Sequence, residues 1–121
     1  MDAEPNTRLK SRLLAARCEP KAKGTPPLVG SELEAHLALL PGWSVTDGDP
    51  DTIAANFTFD NFHETMAFVN AVAWIAHDQD HHPDLDVSYK CCRVRYSTHS
   101  IGGLSDNDVI CALKINALLG D

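Results

Sequence analysis

Residues 77–83 are the stretch of this sequence best suited to chemistry, because they hold three of the six histidines and two carboxylates in the run His-Asp-Gln-Asp-His-His-Pro. Histidine titrates near neutral pH, so the adjacent His81 and His82 can supply both a proton donor and a proton acceptor. Pro83 ends any preceding helix and biases His82 away from the α region. The histidine pair is therefore predicted at a helix-to-strand corner that faces a cleft.

A metal site is an alternative use of the same residues. His77 and His81 are four residues apart, a separation that can clamp a metal ion on a helix, and Asp78, Asp80 or His82 could add a ligand. The glutamate of a His-Glu-x-x-His motif is missing, however, and the spacing fixes no third ligand. No Ser or Cys lies on a glycine elbow that would indicate a nucleophilic triad. Acid-base catalysis without a metal fits better.

Two later residues are predicted to complete the site. His99 follows a strand that should run beside the strand leaving the corner, and adjacent antiparallel strands bring their ends together, so His99 would face His81 and His82 across a shallow pocket. Asp108, at the start of the last helix, would be near enough to orient an imidazole. A purely structural reason is also sufficient for Asp108, because it completes a capping box with Ser105.

Length and composition predict one domain whose thiols are reduced. A chain of 121 residues buries roughly two thirds of its unfolded surface, so it needs no disulfides or metals to fold. The four cysteines form no Cys-x-x-Cys pair. No apolar run approaches the roughly 18–20 residues of a membrane span, and the N-terminus lacks a signal-peptide core. We therefore expect a cytoplasmic protein that does not enter a membrane.

Charge divides the chain into a basic leader, residues 1–30, and an acidic domain, residues 31–121. The leader holds six of the ten Lys and Arg residues against three acids, and the remainder holds four against fourteen. Nucleic acid is excluded as a main ligand because the acidic domain has no basic stripe to neutralise phosphates. The leader, whose residues 19–30 are rich in Pro and Gly, is expected to be a solvated tail or an arm that docks on an acidic partner. Its deletion should spare activity at the candidate site, whose residues all lie beyond it.

Hydrophobic periodicity and capping signals predict helices interleaved with hairpins. Capping boxes are expected at Ser31 and Ser105, and Asp60 or Asn61, the latter with Glu64 at the right offset, should cap the middle helix. We predict an α+β fold in the order α-β-β-α-β-β-α, a four-stranded antiparallel sheet with three helices packed on one face. The predicted segments are a helix at 31–40, strands at 43–46 and 52–59 joined by a turn at 47–51, a helix from 61, strands at 85–90 and 92–97, and a helix from 105.

The middle helix has an unusually broad apolar face between Phe62 and Ile75. A monomer would leave part of this face and one sheet edge in water, and surfaces of this kind are usually covered. We therefore expect a homo-oligomer, most simply a two-fold dimer.

Several separated motifs, taken in order and spacing, resemble the pterin-4a-carbinolamine dehydratase family, also known as the dimerisation cofactor of a homeodomain transcription factor. The resemblance covers residues 28–119, and residues 24–28 are similar to bacterial members in particular. The motifs that carry it are Leu40-Pro41-Gly42-Trp43, Phe57-Thr58-Phe59, His81-His82-Pro83, Tyr89, Ser97-Thr98-His99, Gly103-Leu104-Ser105 and Asp108.

The resemblance implies an enzyme that removes water from 4a-hydroxytetrahydrobiopterin and leaves quinonoid dihydropterin, with no cofactor and no metal. His81 and His99 would be the acid-base pair, His82 would mainly bind the pterin, and Asp108 would support the site by hydrogen bonding. Further substrate-binding positions implied by the resemblance are His77, Pro83, Tyr89, Ser97 and Thr98. The partner reaction would be that of an aromatic amino acid hydroxylase, which produces the hydroxylated pterin.

The same resemblance leaves a second function open. The family includes dehydratase-like proteins that act as assembly factors for RuBisCO in carbon-fixing bacteria, and a basic leader on an acidic domain would suit such a scaffold. His77 stands where family members often have an acid, and Leu85 where many have Trp. These departures leave the acid-base residues intact, and fold resemblance alone does not choose between enzyme and scaffold.

Overall fold

The computed structural model describes residues 3–46 and 49–120, and the predicted turn at 47–51 lies partly outside them. Within the described residues the chain forms four helices and a four-stranded sheet, with a short 3-10 turn at His99–Ile101. The elements in chain order are α1 (Ala3–Ala15), α2 (Gly30–Leu37), β1 (Ser44–Thr46), β2 (Asp49–Thr58), α3 (Phe62–Gln79), β3 (Asp84–Val87), β4 (Cys91–Tyr96) and α4 (Asp106–Leu118).

The sheet is antiparallel throughout, in the order β1-β2-β4-β3. Successive side chains of a strand point to opposite faces, and on β4 the inward residues Cys92, Val94 and Tyr96 are fully buried while their neighbours stay partly exposed. The buried face joins a core with apolar residues of α3 and α4, such as Val72 and Ile110. The predicted α+β class and the four-stranded antiparallel sheet are confirmed.

Two of the three predicted helix caps form. The Asn61 side chain accepts a hydrogen bond from the Glu64 amide at 2.8 Å, and Ser105 forms a reciprocal capping box at the start of α4. The capping box predicted at Ser31 is wrong. The helix begins one residue earlier, at Gly30, because the Leu33 amide already donates to the Val29 carbonyl, and no side chain caps α2.

The end of α3 fixes the start of the histidine corner. The helix continues to Gln79, and Asp80 then takes a left-handed conformation with φ 51° and ψ 44°. The His81 amide donates back to the Ala76 carbonyl at 3.1 Å, a bond that satisfies one of the last helical carbonyls. His81 therefore leaves the helix in a defined direction.

The leader is part of the folded structure. Its helix α1 packs on α4, and Leu13 is only 4% exposed within the main core. The Lys114 ammonium donates to the Leu14 carbonyl at 2.7 Å, and Arg17 pairs with Asp78. The structure thus has four helices instead of the three predicted, and the solvated-tail interpretation is wrong, because the apolar stripe of the leader is buried on α4.

A membrane span is not found among the described helices, none of which combines the length and hydropathy that a crossing requires.

Truncation of Leu13 should destabilise the whole domain. Leu13→Ala removes a buried side chain and leaves a cavity between α1 and α4, so we expect the free energy of unfolding to fall by about 2–4 kcal/mol. Urea unfolding measures this loss. Ser11→Ala, at an exposed position of the same helix, is the matched control and should change stability by less than about 0.5 kcal/mol. Equal stability of Leu13→Ala and wild type would show that α1 does not contribute to the core.

Candidate active site

A buried ion pair between His81 and Asp108 lies at the centre of the candidate site. The Nε2 atom of His81 is 2.7 Å from Oδ1 of Asp108, whose side chain is completely buried, whereas His81 keeps 13% of its side chain exposed. A carboxylate accepts and does not donate, so Nε2 carries the proton of this bond. The other ring nitrogen, Nδ1, is then left for chemistry.

The remaining oxygen of Asp108 is satisfied by the protein. Oδ2 accepts from the Thr98 hydroxyl at 2.8 Å and from the Ser105 amide at 2.9 Å. The Ser105 hydroxyl lies 2.7 Å from that of Thr98 and accepts from the Asn107 amide. Since buried charges are costly without partners, these donors allow Asp108 to remain a carboxylate under the imidazole.

The Tyr96 ring packs against one face of the His81 ring. The two rings stack with centroids 5.2 Å apart and planes 12° apart, and the Tyr96 hydroxyl donates to the His81 carbonyl at 3.3 Å. Alternation along β4 predicts that Tyr96 is buried, but not that it lies against the histidine that follows α3.

The electrostatics of the pair favour the protonated imidazole. Burial by itself lowers the pKa of His81, but the hydrogen bond to Asp108 and the negative charge of that carboxylate outweigh it, so the pKa is raised above the ordinary value of 6.5. More of His81 is therefore imidazolium at neutral pH than for a free histidine, which suits a proton donor.

An open cavity of about 440 Å³ lies in front of this pair. Its walls come from three parts of the chain that are distant in sequence: the end of the leader, the corner after α3 and the segment after β4. The lining includes Cys18, Glu19, Pro20, Lys21, Gln79, Asp80, His81, His82, Ser97, Thr98, His99, Ser100 and Asn107. The volume is within the range of small-molecule sites.

The structure brings five of the predicted site residues to this cavity. His81 and His82 enter it from the corner, and His99 faces them from the turn after β4, with Ser97 and Thr98 between. His82 and His99 are exposed, so their rings are accessible to a solute. Asp108 lies beneath, in contact with His81. The convergence expected from the adjacent strands β3 and β4 is therefore observed.

Three predicted substrate-binding residues lie outside the lining of the cavity. His77 is exposed on the last turn of α3, and Pro83 follows the corner. Tyr89 lies in the turn between β3 and β4, where its ring stacks on Phe62, the first residue of α3, at 6.0 Å. The eighteen residues of α3 separate that turn from His81, about 27 Å along a helix axis.

The leader supplies a wall of the cavity that sequence analysis did not foresee. The Cys18 amide donates to Gln79 Oε1 at 2.8 Å, and Glu19 exchanges two backbone hydrogen bonds with the Asn107 side chain. Lys21 pairs with Asp106 at 2.8 Å. Residues 18–21, which we call the pocket wall, are thus fixed to the ends of α3 and α4. The expectation that every residue of the site lies beyond the leader is therefore wrong.

A second cavity of about 430 Å³ shares Ser97, Thr98 and His99 with the first and opens on the other face of the sheet, beside Arg93 and Arg95. It contains neither His81 nor His82. Within residues 3–46 and 49–120, no three His, Cys, Asp or Glu side chains converge as a metal-ligand set. The acid-base residues therefore belong to the first cavity.

The amino-acid sequence of this chain matches a known protein family. Residues 26–118 match the model of the family described as pterin 4 alpha carbinolamine dehydratase. A protein of Nitrosomonas eutropha named "Putative pterin-4-alpha-carbinolamine dehydratase" is 52% identical over 104 residues, which cover 85% of this chain and 89% of the relative. A protein of the same name from Nitrosospira multiformis is 49% identical over 88% of this chain and 91% of its own length.

Solved structures agree with these sequence matches. The crystal structure of a transcriptional coactivator/pterin dehydratase from Brucella melitensis superposes with a TM-score of 0.74 at 34% identity, over 78% of this chain and 100% of that one. A pterin dehydratase-like protein described as a RuBisCO assembly factor in the alpha-carboxysome gives a TM-score of 0.57 at 20% identity, over 66% of this chain and 92% of that one, and shows the same fold. The chain thus belongs to the pterin-4a-carbinolamine dehydratase family.

Proposed function

We propose that this protein dehydrates 4a-hydroxytetrahydropterins, with 4a-hydroxytetrahydrobiopterin as the substrate type, and so takes part in tetrahydropterin recycling in the cytoplasm. The observation that carries the proposal is the His81–Asp108 pair, which faces a cavity shared with His82 and His99. Family membership supports the same reaction. The hydroxylated pterin would come from an aromatic amino acid hydroxylase.

The geometry suggests different tasks for the histidines. His81, whose Nε2 atom is engaged by Asp108, presents Nδ1 and donates a proton to the departing 4a-hydroxyl, which leaves as water. His99 accepts the proton from N5 of the pterin, and the electron pair of that N–H bond forms the new C4a–N5 double bond. His82, beside them and exposed, would bind the pterin. The reaction needs no net change in protons on the protein.

Stopped-flow absorbance on freshly generated carbinolamine tests the proposal. The full-length protein should accelerate loss of water over the spontaneous reaction, because the site supplies an acid and a base at neutral pH. His81→Ala and His99→Ala should each lower turnover by about 10²- to 10⁴-fold, and His82→Ala should weaken binding more than turnover.

His63→Ala is the matched control, since His63 is exposed near the start of α3, at the opposite end of that helix from the site. Wild-type protein that gives no acceleration, with or without added metal ions, would refute the dehydratase function. A His99→Ala variant within a factor of about two of wild type would refute the assignment of the base.

Replacement of Asp108 should shift the pH dependence of turnover. Asp108→Asn removes the charge that raises the pKa of His81, so that pKa should fall and the loss of protonated His81 should occur at lower pH. The decline of kcat on the alkaline side should move to lower pH with it. The stability of the folded protein also falls as the pH rises. The ion pair stabilises the folded state below the pKa that His81 has in the unfolded chain, and this stabilisation is lost as the pH rises through the pKa of His81 in the folded protein.

Ser105→Ala separates this effect from the capping role of Asp108. It removes a helix cap, at a cost of about 1 kcal/mol, and leaves the carboxylate beside His81. Its pH profile should coincide with that of wild type. A profile of Asp108→Asn that also coincides with wild type would show that Asp108 acts only as a cap.

We also propose that the protein is a homo-oligomer, most simply a two-fold dimer. Trp74 and Tyr89 are 66% and 62% exposed, and Phe62 is 47% exposed, so large apolar side chains of α3 and the β3–β4 turn face solvent. Light scattering at micromolar concentration should give at least twice the chain mass of 13.2 kDa. A mass equal to one chain would contradict the proposal.

The alternative function is assembly of RuBisCO. Its support from comparison is a neighbour of 20% identity, a likeness that shows the fold alone. A protein that fails the stopped-flow test while its fold is intact would make a scaffold the better proposal.

A further inference from the structure

Two thiols meet where the pocket wall contacts α4. The Sγ atoms of Cys18, in the leader, and Cys111, on α4, are 3.6 Å apart, and both cysteines are free. Cys18 is half-buried and lines the cavity, whereas Cys111 is completely buried. One sulfur is therefore open to small solutes and the other is enclosed. The family match begins at residue 26, so Cys18 lies outside it.

The backbone on either side holds these sulfurs in place. The Cys18 amide donates to the Gln79 side chain, and the amide of the next residue, Glu19, donates to the Asn107 side chain. Cys111 lies one turn beyond Asn107 on α4. The Cys18 thiol also lies 3.5 Å from the Asn107 carbonyl. Bonded sulfurs are about 2.05 Å apart, so the pair must close by roughly 1.5 Å, a distance that side-chain rotation and small backbone shifts supply.

The two sulfurs have different surroundings, and the difference gives them different roles in oxidation. The hydrogen bond between the two thiols lowers the pKa of Cys111, and the Tyr96 hydroxyl and the charge of His81 add to this effect, outweighing burial. The pKa of Cys18 is raised by the same hydrogen bond and by burial. The enclosed sulfur is thus the better thiolate, and the exposed sulfur is the one that an oxidant reaches first.

We propose that Cys18 and Cys111 are a modification site at which hydrogen peroxide forms a reversible disulfide, fastening the pocket wall to α4. The Cys18 thiol passes its proton to the neighbouring Cys111 thiolate as its sulfur attacks one peroxide oxygen. The O–O bond breaks, the released hydroxide takes that proton to become water, and a sulfenic acid on Cys18 remains beside the Cys111 thiolate. The Cys111 thiolate then attacks the Cys18 sulfur, the S–S bond forms and the S–O bond breaks. The departing hydroxide takes a proton to become water. Two thiols and one peroxide thus give one disulfide and two waters, and a dithiol reductant reverses the change.

Disulfide mapping on the full chain tests the site without reference to the pterin reaction. Purified protein is treated with hydrogen peroxide, its remaining thiols are alkylated, and peptides are analysed by mass spectrometry before and after dithiothreitol. We expect a linked peptide pair containing Cys18 and Cys111 that reductant separates. Cys91→Ser, on the opposite face of the sheet, is the matched control and should leave the link unchanged, whereas Cys18→Ser should abolish it. Peroxide that carries Cys18 to sulfinic acid with no such link would overturn the proposal.

Stability and hydrogen exchange test the fastening itself. The link closes a loop between residues 93 positions apart, so the oxidised wild type should unfold at a higher temperature, by on the order of 10 °C, while peroxide should leave the midpoint of Cys18→Ser unchanged. Exchange of the amides in residues 18–21 should slow in the linked protein. A link that forms without slowing this exchange would show that the wall is not fastened by it.

Discussion

The buried negative charge of Asp108 is the constraint on which the rest of the site depends. Removing a carboxylate from water costs several kcal/mol unless hydrogen-bond donors replace the lost hydration. Here the donors are the His81 ring, the Thr98 hydroxyl and the Ser105 amide, and each comes from a different part of the chain. The charge is satisfied only when the end of α3, the segment after β4 and the start of α4 are docked together. Helix capping and imidazole orientation are therefore two results of one interaction, so the fold and the chemistry are specified jointly.

Much of this arrangement is predictable from sequence because it follows short-range rules. Alternation on β4 and the caps at Asn61 and Ser105 locate the sheet and two helices, and antiparallel pairing of β3 with β4 brings His99 towards His81. The errors occur where neighbouring local signals compete or where long-range contacts decide. At Ser31 a capping pattern was overridden because the backbone bond between Leu33 and Val29 starts the helix earlier. Tyr89 was placed at the site by the resemblance and not by strand alternation, and its turn lies outside the lining of the cavity.

The leader docks through the charges and apolar residues that its sequence indicates, but it docks within its own chain. Its positive charge and apolar spacing predict docking on an acidic surface, and that surface is the protein's own domain. Arg17 and Lys21 pair with Asp78 and Asp106, beside the ends of α3 and α4 that flank the cavity. Exposed ion pairs of this type contribute little stability individually. They help to position the backbone of Cys18 and Glu19 beside the side chains of Gln79 and Asn107, which hold this wall of the pocket.

The separation of the pocket wall from its partners along the chain has a consequence for how the protein folds. Cys18 meets Gln79 and Cys111 across 61 and 93 residues, whereas the caps of α3 and α4 close within three. The chain entropy lost in closing a loop grows with its length, so contacts this distant form late and limit the folding rate. The sheet and its helices would then be assembled before the wall is in place. In the folded protein, fraying of α1 would open the cavity at a lower free energy than global unfolding, and the integrity of the pocket would be set by this local equilibrium.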